Sequence, residues 1–161
     1  MRITLLAVGR IKEKFYADAV REYEKRLGRY CRLEIIEVPD EKTPYGAGRR
    51  EEELILQKEG GRLLKVINDR PDAYVAALAI DGMMPDSLEF SRQIEKLGVD
   101  GVGHIIFVIG GSLGLSSEVL NRVDQRLSFS RMTFPHQLMR VIFLEQLYRA
   151  FRIMKNEPYH K

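Results

Sequence analysis

The chain has 161 residues, 45% of them hydrophobic and 30% charged, with a formal net charge of +3, the balance of one globular domain over residues 1–161 rather than a disordered or multidomain chain. Its one cysteine, Cys31, excludes an internal disulfide framework, and without CxxC or Cys/His clusters no metal site is expected. No stretch reaches the roughly 18 uncharged apolar residues of a membrane span, and the opening MRITLLAVG lacks the h-region and cleavage site of a secretory signal, so a reducing, cytoplasmic setting is expected.

Residues 3–8 (ITLLAV) read as a strand, after which Tyr16, Val20, Tyr23 and Leu27 recur at helical spacing. Cys31, Leu33 and Ile35 alternate with charged residues and Ile36 and Val38 follow, which predicts a second strand with one wetter face. Residues 39–50 hold two prolines, two glycines and five charges without a period, and read as a mobile loop. The acidic triplet at 51–53 suits a positive helix N-terminus, and the helix it opens carries Leu56, Gly60, Leu63, Leu64 and Ile67 on one face. Gly60 and Gly61 cost that helix stability, so close packing against a neighbour is predicted.

Residues 73–80 (AYVAALAI) are apolar without alternation, as in a parallel strand covered on both faces. Asp86 with Glu89 forms the pattern of a capping box, opening a helix with Phe90, Ile94 and Leu97 inward. Residues 105–109 repeat the buried-strand pattern and run into Gly110, Gly111, Ser112, Leu113 and Gly114. A fourth helix is predicted from Ser116 or Ser117, a short fifth strand over residues 127–130, and a last helix over residues 136–155. Five such alternations predict an α/β fold, a mostly parallel sheet with helices on both faces. Ligands of such sheets collect at the carboxyl ends of strands, here the segments after Ile80, Ile109 and Ser130.

Several chemistries lack their residues. The turn at 110–114 has no following Gly-Lys-Ser/Thr, so a P-loop is absent. The first strand ends in Gly9-Arg10-Ile11-Lys12, not GxGxxG, and His104, His136 and His160 have no metal-ligand spacing. Charge is unevenly placed: residues 121–161 carry eight Lys/Arg against three Asp/Glu, whereas residues 1–120 carry eighteen against twenty. A basic excess of this kind is either the footprint of a nucleic-acid binder or a solvated helix face.

What remains lies in the second half. Gly110-Gly111 after a buried strand lets a ligand approach main chain, or is only a tight turn. His136 and Arg140 share a helix face, as site residues or as a helix start and a surface ion pair. The last helix is apolar almost all round (Leu138, Met139, Val141, Ile142, Phe143, Leu144), which calls for a dimer interface unless the monomer buries it completely. Arg149, Arg152 and Lys155 fall at helical spacing and could face phosphates. The tail NEPYHK frays by default; if ordered, Tyr159 and His160 bring a ring and a proton acceptor to a site.

The segments IGGSLGLS (109–116) and LSFSRMTFPHQLMRVIFLEQLYRAF (127–151), the PYHK ending and the opening LLAVG and EYEKRL resemble the RlmH family of ribosomal RNA large subunit methyltransferases, members of the SPOUT class. The resemblance covers the whole chain. It implies a C-terminal trefoil knot, which general topology rules disfavour, and a homodimer that moves a methyl group from S-adenosylmethionine to N3 of a pseudouridine in 23S rRNA of the assembled ribosome. It also implies cofactor contacts at Leu78, at Gly110, and at Phe129, Ser130, Arg131, Met132, Thr133 and Phe134. An imide N3–H is a weak acid, so its proton must leave or its anion be stabilised during attack. The residues expected to serve that chemistry are Arg140, holding a phosphate or developing charge, and His160, supported by Tyr159. Arg131, Arg152 and Lys161 are expected to meet RNA. The rival readings are a SPOUT enzyme acting on another RNA base, separable by its product nucleoside, and a non-catalytic ribosome-binding module, separable by its failure to bind S-adenosylmethionine.

Overall fold

Apolar runs free of charge become the middle of a sheet. The computed structural model describes all 161 residues. Its strands β1 (Arg2–Val8), β2 (Arg32–Val38), β3 (Tyr74–Met83), β4 (His104–Ile109) and β5 (Gln125–Leu127) form one all-parallel sheet in the order β2-β1-β4-β3-β5. Helices α1 (Lys14–Leu27), α2 (Arg49–Asn68), α3 (Ser87–Val99), α4 (Ser117–Arg122) and α5 (His136–Met154) cover its two faces. Alternation along β1 divides the core. Ile3, Leu5 and Ala7 meet α1, α3 and α5 through Val20, Phe90, Phe143 and Leu147, while Leu6 and Val8 meet α2 and α4 through Leu63, Ile67 and Val119. Being covered on both sides, β1 and β4 read as continuous apolar runs.

Helix α5 packs between α1 and α3, so three of its sides are covered and much of its apolar character is consumed within the chain. Leu138, Ile142 and Ile153 form a remaining half-buried stripe that belongs to neither core. The capping box of α3 is present, with Asp86 Oδ1 accepting from Glu89 N at 2.7 Å and Glu89 Oε2 from Asp86 N at 2.8 Å. Of the two glycines expected to pack closely only Gly60 does: a Cβ there would stand 2.3 Å from Ser116 Oγ, the hydroxyl that caps α4, whereas Gly61 is exposed with open space around it.

Three segments differ from expectation in ways that shape the site. Strand β3 continues past Ile80 to Met83 with an irregularity after Leu78, and Gly82 permits it, since a Cβ would lie 2.6 Å from the Leu127 main chain. Strand β5 covers residues 125–127, and 128–130 leave the ladder because their serines bond locally. Ser128 Oγ donates to Ser130 O at 2.9 Å, and Met132 N to Ser130 Oγ at 2.9 Å. The segment read as a mobile loop is anchored at its start: Glu41 N donates to Glu59 Oε1 at 3.0 Å and Arg62 Nη1 to Pro39 O at 2.8 Å. No helix is long and apolar enough to cross a membrane.

Candidate active site

The carboxyl ends of β3, β4 and β5 open into a cavity of about 670 Å³, lined by residues 78–80, 109–114, 127–130 and 132–136 and by Met139. These are the three strand ends singled out by the parallel-sheet rule, and the volume lies within the range of small-molecule sites. The walls combine apolar side chains (Leu78, Ile109, Leu127, Phe129, Phe134) with glycine main chain. Gly110 is required there, because a Cβ would meet Gly114 O at 2.5 Å. The turn closes through Gly114 N donating to Gly111 O at 3.1 Å, with Gly114 in the left-handed region at φ +83°. Phe129 is held edge-on to Phe90 at 5.3 Å, and Ser128 N donates to Met83 O at 2.8 Å, so the β5 wall is tied to both α3 and the β3 extension. Of the eight expected cofactor contacts, seven line the cavity; Arg131 does not, and stands exposed without a carboxylate partner.

Arg140 is not available to a phosphate or a developing charge, which corrects the expectation from its spacing. It is 1% exposed. Its guanidinium pairs with Glu37 and donates to Val8 O at 2.9 Å and Gly9 O at 2.7 Å. Glu37 Oε2 in turn accepts from Ile11 N at 3.1 Å. Arg140 therefore ties α5 to the carboxyl ends of β1 and β2. Charge periodicity on a helix cannot tell an inward guanidinium from an outward one.

Two titratable groups lie near the cavity, His136, read from its spacing as a site residue or a helix start, and Glu59, which carried no assignment. His136, half-buried in the wall, is held below its ordinary pKa by burial and then by Arg140, against Asp40, and so presents a neutral imidazole at pH 7. Glu59 is 3% exposed; one carboxyl oxygen accepts from Glu41 N, and the other has no partner and lies where a Cβ of Gly111 would come within 2.8 Å. Burial pushes its carboxyl up from the ordinary value. In the sequence it sits among charged residues of α2, and its spacing of four from Ile55 and Leu63 is the one signal of its burial.

The tail is ordered by its own contacts. Tyr159 Oη donates to Glu145 Oε1 at 3.0 Å, its ring meets Tyr148 edge-on at 4.9 Å, and Arg149 stands 4.7 Å over it. Burial, then the bond to Glu145, pushes the phenol up to about 12, so Tyr159 keeps its proton at neutral pH. Arg152 is spent on this fold: it pairs with Glu157 at 2.6 Å and donates to Pro158 O at 2.8 Å and Tyr30 Oη at 3.2 Å. Its expected phosphate contact is corrected accordingly, and Arg149 is likewise paired with Glu145 at 2.6 Å. Lys155 and Lys161 are exposed. His160 lies against Arg149, 3.5 Å from its Nη1. Arg149 is thirteen residues beyond His136, about 20 Å along α5 at 1.5 Å per residue. The structure thus does not bring His160 and Tyr159 to the cavity of their own chain. No group of three or more His, Cys, Asp or Glu is placed to hold a metal ion.

Comparison with known proteins agrees with this arrangement. A family model described as predicted SPOUT methyltransferase matches residues 1–160. Over all 161 residues, and over the full length of each relative, the chain is 59% identical to ribosomal RNA large subunit methyltransferase H of Clostridium kluyveri and 56% identical to that of Bifidobacterium adolescentis. Among solved structures, a probable methyltransferase from Bordetella pertussis aligns with TM-score 0.57 at 14% identity, covering 93% of this chain and 96% of that one. A probable methylase family protein from Haemophilus influenzae aligns with TM-score 0.57 at 14% identity, covering 99% and 70%; at such identities the likeness concerns the fold. The chain belongs to the SPOUT methyltransferases and, within them, to the RlmH family.

Proposed function

We propose that the protein uses S-adenosylmethionine to methylate N3 of a pseudouridine in 23S rRNA on the assembled ribosome. The observation that carries this reading is the cavity at the ends of β3, β4 and β5, in a chain 59% identical over its full length to a relative named for large-subunit rRNA methylation. The donor set fits an adenosine cofactor. Ten of the nineteen lining residues are hydrophobic and offer faces for a purine, and the glycine turn leaves main chain within reach of polar edges. Leu78, Gly110, Phe129, Ser130, Met132, Thr133 and Phe134 would hold it. Bound there, S-adenosylmethionine supplies an electrophilic sulfonium methyl.

The protein's own residues must then exclude water, orient the base and accept a proton as the N3–methyl bond forms. Arg140 is committed elsewhere and Tyr159 keeps its proton, so we assign the acceptor to a histidine, of which His136 lies in the cavity wall and His160 in the tail. His160 lies against Arg149, which is itself about 20 Å along α5 from His136, so we assign His160 to the cavity of a second protomer. The half-buried stripe Leu138–Ile142–Ile153 and the exposed Ile80, Met83 and Met132 near the cavity rim favour that homodimer. The same reading includes the trefoil knot: residues 128–135 run from the β5 edge back across the strand ends to α5, whose first turns are fixed at the end of β1.

The test is methyl transfer from labelled S-adenosylmethionine to ribosomes that lack the modification. The expected result is saturable incorporation at one 23S pseudouridine, with none into naked RNA oligonucleotides. Saturable cofactor binding with incorporation at a different base would replace the target, and no cofactor binding by calorimetry would overturn the reading.

A further inference from the structure

The loop between β1 and α1 stands beside the cavity and is rigid for reasons visible in its main chain. Gly9 takes φ +85° and donates to Val38 O at 2.8 Å. Ile11 N donates to Glu37 Oε2 at 3.1 Å, and Lys12 N and Glu13 N donate to Gln137 Oε1 at 2.8 and 3.4 Å. Gln137 follows His136, a cavity-wall residue, so the loop is pinned at the cavity's rim. Its side chains have the opposite character. Arg10 and Lys12 are exposed and make no ion pair. Phe15, in the first turn of α1, is 64% exposed, its ring 4.3 Å from that of Tyr16.

Two of the four nearby acids are neutralised. Asp18 is held below the usual carboxylate range by Lys14 and then Arg21, and Glu37 is paired with Arg140; Glu13 and Asp40 are the remaining negative groups. Free cations on anchored main chain next to a solvent-facing aromatic ring are the elements of a nucleic-acid stacking platform. The cations neutralise phosphates, and the ring gives an unpaired base a face to stack on. A side chain presented on fixed backbone loses less entropy on binding, so such a platform is stronger than the same residues on a free terminus.

We infer that Arg10, Lys12 and Phe15 form an rRNA-docking platform, with Arg10 and Lys12 on phosphates and Phe15 under a base of the strand that enters the cavity. The inference rests on the methyltransferase reading for its partner, but its test reads binding directly. Affinity of the full-length protein for ribosomes lacking the modification is measured by filter retention across a salt series. Variants are Arg10→Ala with Lys12→Ala, Phe15→Ala and Phe15→Trp, and Arg32→Ala with Lys65→Ala removes the same charge from the other end of the sheet.

Loss of two phosphate contacts is expected to flatten the log–log salt slope by roughly 1.4 to 1.8 and to weaken binding about tenfold or more at low salt. Phe15→Ala is expected to cost at least about fivefold in affinity, with Phe15→Trp restoring it. The Arg32/Lys65 variant should match wild type, as should cofactor affinity and oligomeric state in every variant. An unchanged slope and affinity in the Arg10/Lys12 and Phe15→Ala variants overturns the platform even if methylation is intact. A change of oligomeric state on replacing Phe15 overturns it by assigning the ring to a contact between copies. Lost binding in these variants, from a wild-type protein that binds ribosomes but transfers no methyl group, sustains the platform and refutes the methyl-transfer reading instead.

Discussion

Replacing Arg140 separates a structural clamp from a catalytic cation. Arg140→Met keeps most of the side-chain volume and removes the guanidinium, so the effect is polar rather than a cavity. Removing one partner of a buried ion pair costs about 3–5 kcal/mol, and a buried carbonyl left unpaired costs about 1–3 kcal/mol. Here Val8 O and Gly9 O both lose their donor, whereas Glu37 is 34% exposed and recovers water, which places the sum near the low end, about 3–4 kcal/mol. At about 2–4 °C per kcal/mol for a chain of this size, the melting temperature should fall by about 6–16 °C. Calorimetric unfolding gives that value. Methyl transfer by the variant, assayed well below its own melting temperature, should stay within a few-fold of wild type. A variant that melts within about 1 °C of wild type while methyl transfer collapses would refute the clamp and restore Arg140 to catalysis.

Gly110→Ala should abolish saturable S-adenosylmethionine binding in calorimetry, because its Cβ would overlap Gly114 main chain at 2.5 Å and the turn must open. For Glu59, whose folded pKa lies above the ordinary 4.5, stability is greatest below that value and falls as pH rises through the folded pKa. Glu59→Gln should therefore gain melting temperature relative to wild type as pH is raised from about 4.5 toward 8, and a difference constant with pH would contradict its burial. Co-expressed His160→Ala and Gly110→Ala protomers, each inactive alone, should regain about half of wild-type activity per mixed dimer, since one site keeps both an intact cavity and an intact tail. Sites completed within one chain would give none.

The sheet was legible because β1, β3 and β4 are buried on both faces and thus uninterrupted, and the helices because caps such as Asp86/Glu89 and Ser116 are local chemistry. The cavity's position followed from topology once the sheet was read as parallel. What could not be read was side-chain direction. The alternation of Leu127, Ser128, Phe129 and Ser130 has a strand's period, but local serine bonds turn the last three residues into a cavity wall. Arg149 and Arg152 carry the charges of a phosphate stripe and Arg140 that of a phosphate-holding site residue, yet partners at Glu145, Glu157, Pro158, Glu37, Val8 and Gly9 consume them. Arg10, Lys12 and Phe15 carry no functional signal in the sequence. They lie in the near-neutral first 120 residues, and the fold alone brings them beside the second-half cavity.

The proposed reaction places a methyl group on one pseudouridine of 23S rRNA. Nucleoside mass spectrometry of rRNA from cells with the gene, without it, and with it restored tests this most directly. The expected result is one N3-methylated pseudouridine in 23S rRNA that vanishes with the gene, returns with the wild-type protein and stays absent with the Gly110→Ala variant. An N3-methylpseudouridine level that is the same with and without the gene would contradict it.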